Sequence, residues 1–76
     1  MERKERLESI LMGLMKSLEM SMYRAIFSMA LIRSYRLHEE MIDWVASFHD
    51  SEETITLQSF TAKLNELIAE KQTIGK

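Results

Sequence analysis

The chain has 76 residues, with ten Lys or Arg against twelve Asp or Glu and a net charge of −2, a balance that argues against a dedicated nucleic-acid binder. It has no Cys, which excludes disulfides and thiolate metal sites and fits a reducing, cytoplasmic setting. Chains this short bury only about 60% of their unfolded surface and lean on disulfides, a metal or association, and with no Cys and only two His the expected support is association.

Pro is absent, Gly occurs twice, and Leu, Met, Glu, Ala and Lys dominate, so the fold is expected to be all-α. Residues 2–6, Glu2-Arg3-Lys4-Glu5-Arg6, mix charges and read as a solvated first turn, with Glu2 and Arg6 as an i,i+4 pair. No export signal is expected, because this start is mixed in charge and Lys16 and Glu19 interrupt the apolar run behind it.

Residues 7–32 are the organising stretch. On a helix, Leu7, Leu11, Leu14, Met15, Leu18, Met22, Ala25, Ile26, Met29 and Ile32 fall in one arc of about 120°. A second apolar line, Met20, Phe27 and Leu31, lies nearly opposite. Lys16, Ser17, Glu19, Ser21, Arg24 and Ser28 hold only the flanks. A helix that is apolar nearly all round is normally buried on several sides. Gly13 costs about 1 kcal/mol relative to Ala in a helix interior; it either admits a close neighbour or is simply tolerated. Six of the seven Met lie at or before Met29. Met fills cores and also suits adaptable recognition surfaces. A membrane span would need about 20 apolar residues with few charges, and the longest uncharged apolar piece here is Ala25 to Ile32.

Residues 33–36, Arg33-Ser34-Tyr35-Arg36, shift the phase. Apolar positions resume about 120° further round as Leu37, Met41, Trp44, Val45 and Phe48. No Pro or Gly forces a break, so the reading is one continuous helix over residues 3–48, with a bend at 33–36 as the alternative. Residues 49–56 form a linker, with Thr56 as the favoured N-cap and Asp50 or Ser51 as alternatives. A second amphipathic helix follows over 57–73, its face made by Leu57, Phe60, Leu64, Leu67 and Ile68, with Gly75 as its stop.

Lengths then decide the expected architecture. A rod over 3–48 spans roughly 70 Å and the second helix about 25 Å. Folded back as an antiparallel helical hairpin, one domain over residues 1–76, the shorter helix covers Leu37, Met41, Trp44, Val45 and Phe48. It does not reach Leu7 to Met22. The long stripe would stay bare until another molecule covered it, as in a helical bundle of two hairpins, and bare apolar patches beyond a few hundred Å² mark interaction surfaces. In outline such a hairpin dimer resembles plasmid RNA-binding hairpin dimers and the small hairpin chaperones of secretion systems, an analogy of shape that no motif here carries.

No constellation in the sequence points to catalysis. His38 and His49 would stand about 16 Å apart on a continuous helix and could not share a metal. Glu39 with Asp43, and Glu40 beside Trp44, read as solvated helix charge. The metalloprotease pattern is missing, since position 42 is Ile. Phosphate loops, nucleophile elbows and Cys–His pairs are absent too, and a two-helix chain has no deep pocket. No enzymatic activity and no cofactor are expected. Arg24 lies far round the helix from Arg33 and Arg36, so with Tyr23 and Tyr35 they make no single stripe for nucleic acid. The flanks also lack the basic face of a membrane-surface helix.

The expected function is that of a small non-enzymatic interaction module, such as an adaptor, chaperone subunit or inhibitor. It would hold a protein partner on the Met-rich face of the N-terminal helix. The alternative is a self-associating helical-bundle regulator, a homodimer, with nucleic-acid binding less favoured. Trp44 is expected beneath Leu64 and Leu67.

Overall fold

Two helix stops divide the N-terminal half where the sequence reads as one rod. The computed structural model describes residues 2–74. In it α1 runs Arg3–Ser17, α2 Met22–Tyr35, α3 His38–Ala46 and α4 Leu57–Ile74, with no strand among the described residues. Gly75, read as the stop of the last helix, lies outside the described residues.

Both stops are built alike. Past α1, the Glu19 N–H donates to the Lys16 carbonyl at 3.0 Å and the Met20 N–H to the Met15 carbonyl at 3.0 Å. These bonds occupy carbonyls that a helix end otherwise leaves without partners. Past α2, the Arg36 N–H reaches the Arg33 carbonyl at 3.3 Å and the Leu37 N–H the Ile32 carbonyl at 2.9 Å. Each stop needs one residue in the left-handed region, a place usually held by Gly. Here Glu19 (φ 60°) and Arg36 (φ 54°) take it. A left-handed L-residue costs about 1–2 kcal/mol. Burial repays it: Met15 and Met20 flank one stop, Ile32 and Leu37 the other, and all four belong to the core, where a buried side chain of this size contributes about 1.5–3 kcal/mol.

The continuous helix over 3–48 is therefore corrected. The molecule measures 36 Å along its longest axis, about half the length of that rod. The argument from reach falls with it. Cut into three, the N-terminal half gives helices of roughly 22, 21 and 14 Å, none longer than the roughly 27 Å of α4. α1 packs against α2 and α3, and α4 packs against the same two helices. One core joins Leu11, Met15, Met20, Ala25, Met29, Ile32, Leu37, Met41, Phe60, Leu64 and Leu67. Much of the long stripe is thus covered by its own chain.

Local chemistry explains the remaining ends. Ser21 opens α2, its Oγ accepting from the Arg24 N–H at 3.3 Å. Thr56 opens α4 in a reciprocal cap: Thr56 Oγ1 accepts from the Ser59 N–H at 3.0 Å, and Ser59 Oγ accepts from the Thr56 N–H at 2.9 Å. Around Gly13 an added Cβ would meet nothing within 4 Å, so no close neighbour explains it.

Trp44 is half-buried against the core. Its ring meets Phe48 edge-on at 5.1 Å and Phe60 at 6.4 Å between centroids.

Candidate functional site

α2 is apolar round most of its circumference, and the fold buries only part of it. Ala25, Met29 and Ile32 face the core. On the other side Met22 is 64% exposed, Tyr23 88%, Ile26 57% and Phe27 65%. Ala30, exposed as well, lies among them. At helical spacing these five positions share an arc of about 140°, turned away from Ala25 and Ile32. The four large side chains present about 500 Å² together, at roughly 200 Å² for a large side chain. That is roughly a tenth of the 5595 Å² surface of the molecule, the share a specific interface takes on a small protein.

The stripe read as the partner interface therefore splits. Leu11, Met15, Ala25, Met29 and Ile32 are buried in the chain's own core and are closed to a partner. Leu7, Leu14 and Leu18 are half-buried, and only Met22 and Ile26 stand exposed. The second line divides too: Met20 is core, Leu31 is half-buried and Phe27 is exposed. Of the positions expected between the C-terminal helices, Leu37, Met41, Phe60, Leu64 and Leu67 are buried, while Trp44, Val45, Phe48, Leu57 and Ile68 are half-buried. Tyr23 was absent from the expected interface. Its signal lay in its place on the helical wheel, which sets Tyr23 between Ile26 and Phe27.

Beside this face a shallow groove runs between α2 and α4, lined by Arg24, Phe27, Ser28, Leu31, Thr61, Leu64 and Asn65. Arg24 spans it, donating from Nη2 to Thr61 Oγ1 at 3.3 Å.

A polar cluster elsewhere joins three helices. From α2, Arg33 donates through Nε and Nη2 to the two carboxylate oxygens of Glu8 on α1, both at 2.9 Å. His38, the first residue of α3, meets Glu8 Oε2 at 2.9 Å through Nε2. The Arg33 hydrogen bonds first, and the His38 bond second, hold the Glu8 carboxyl down at about 2. A His–carboxylate pair can orient a catalytic base. Here His38 is only 5% exposed and its Nε2 is spent on Glu8, so the trio ties helices together.

The other expected site residues separate. His49 is exposed in the turn after α3. Glu39 accepts both Arg3 bonds, at 2.8 and 2.9 Å, and Glu40 pairs with Lys71 at 3.1 Å. These carboxylates, read as solvated charge, link α3 to α1 and α4. No group of three His, Cys, Asp or Glu among the described residues could hold a metal ion. No described helix is long and apolar enough to cross a membrane. Arg33 is engaged by Glu8, and Arg24 leans on α4. No protein-family model, curated protein or solved structure matches the chain.

Proposed function

We propose that the protein is a non-enzymatic interaction module that meets a protein partner through the outward face of α2. One observation carries the reading: four large apolar side chains, 57–88% exposed, share one face of a single helix. Scattered exposed apolar residues are ordinary, but a contiguous patch of this size marks a recognition surface. Ile10 on α1, 53% exposed, is such a scattered residue and is left out of the site.

The chemistry of the face selects among occupants. It carries no hydrogen-bond array for a polar ligand. A helix lying on a membrane needs basic flanks free to meet lipid headgroups, whereas Arg33 is committed to Glu8. Nucleic acid would need uncompensated cations along the same face. Aromatic and Met side chains with a small Ala among them suit an apolar protein surface. An adaptor, a chaperone subunit or an inhibitor could each use such a surface, and a cytoplasmic setting suits a chain without cysteine.

Site-specific photo-crosslinking tests the reading. A benzophenone side chain at Tyr23 should give discrete protein adducts in the native host. The same group at Glu70, on the exposed side of α4, should give few. Equal labelling from both positions, or none from Tyr23, would refute the docking face.

A further inference from the structure

Resting on that reading, we infer that the partner seated on α2 is a second copy of the chain, packed antiparallel about a two-fold axis between Ile26 and Phe27. In such a pair, Tyr23 of one copy faces Ala30 of the other, and Ile26 faces Phe27, each contact occurring twice. The largest outward side chain thus meets the smallest. Ala30, two turns from Tyr23 on the same line of the helix, leaves the space that the second copy's tyrosine fills.

Charge fixes the direction. The outward positions 22, 23, 26, 27 and 30 are all uncharged, and α2 contains no acidic residue. Antiparallel packing sets the positive amino end of one α2 beside the negative carboxyl end of the other. Parallel packing would instead place like helix ends together.

Area sets the strength. Two copies remove about 1,000 Å² in total, at the lower bound for a specific interface. The association is therefore reversible and depends on concentration. Each copy keeps its own core throughout, because Ala25, Met29 and Ile32 already pack inward.

Sedimentation across roughly 10 to 500 µM, which brackets an equilibrium of about 100 µM, tests the pairing. The wild-type mass should rise from 9.0 kDa toward twice that value. Phe27→Asp and Tyr23→Asp, both at exposed positions, should keep their helicity and stay monomeric. A dimer that survives both substitutions would overturn the inference. So would a wild-type chain that stays monomeric throughout; discrete Tyr23 photo-adducts to other proteins would then leave the docking face standing with a different occupant. The chain has no cysteine, so Tyr23→Cys and Ala30→Cys variants can be mixed under mild oxidant to read the register. The mixed disulfide should form faster than either symmetrical one, and the reverse order would overturn the antiparallel packing.

Discussion

Glu8 accepts three polar bonds from other helices, more than any other side chain among the described residues. It takes two bonds from Arg33 and one from His38, and so links α1, α2 and α3 at one point. Its neighbours stand 25 and 30 residues away, and no local pattern in the sequence signals such a meeting. The stability linked to this carboxyl follows from its position at about 2 in the fold against an ordinary 4.5. A depressed carboxyl contributes fully above its unfolded value and loses that contribution as pH falls through the folded one. The wild-type protein should therefore lose stability between about pH 4.5 and 2, in part through Glu8. Glu8→Gln removes the charge, leaves Arg33 and buried His38 with a weaker acceptor, and should cost about 1–3 kcal/mol at neutral pH. Its stability should also depend less on pH across the acid range. Urea titrations of both chains from neutral pH to pH 3 check this; parallel curves would mean that Glu8 contributes nothing through its charge.

At the scale of the element, the helix stops separate what the sequence reveals from what it hides. Helical class was legible, because a chain without Pro and rich in Leu, Met and Glu has few other options. The C-terminal half was legible as well: Thr56 is a recognisable cap, and Leu37, Met41, Phe60, Leu64 and Leu67 keep a periodic apolar face. The end of α1 was not legible, and the end of α2 showed only as the phase shift at 33–36, read as the alternative to a continuous helix. Their left-handed residues are Glu19 and Arg36, where a reader looks for Gly or Asn. The compensating signal is a pair of apolar residues five apart, Met15 with Met20 and Ile32 with Leu37, which is easily lost in a stretch already crowded with apolar side chains. The candidate face suffered for the same reason, since a wheel drawn through Glu19 mixes residues of α1 and α2. If burial compensates for strained backbone at these stops, relieving the strain should stabilise the fold. Glu19→Gly and Arg36→Gly should each raise stability by about 0.5–1 kcal/mol, the left-handed penalty less the larger chain entropy of Gly. Thermal melts of the two variants measure it. A loss of stability in both would mean that residues 19 and 36 do not hold positive φ in solution.

For the whole molecule, the two stops decide which apolar surface is spent and which is left. A single rod would have left Leu7 to Met22 bare. Breaking it at residues 18–21 and 36–37 turns α1 back onto α2 and α3, and half of the longest stripe, Leu11, Met15, Ala25, Met29 and Ile32, becomes core. What cannot be absorbed is the outer side of α2, because a helix packed on one face by α1 and α4 has its remaining apolar residues pointing away from both. The surplus of a chain that is 46% hydrophobic is concentrated there. This account requires the amino-terminal end of α1 to lie beside α3, where Arg3 and Glu39 form their paired bonds at 2.8 and 2.9 Å. A straight helix would instead hold residues 4 and 43 about 58 Å apart. Spin labels on the double variant Lys4→Cys, Asp43→Cys separate the two cases, with an excess of unlabelled chain added so that pairs of copies contribute no second distance. The separation should fall within the 36 Å long axis of the fold. A narrow distribution centred near 58 Å would restore the rod, return Leu11 and Met15 to the surface, and move the interaction face from the outer side of α2 back to the stripe over residues 7–32.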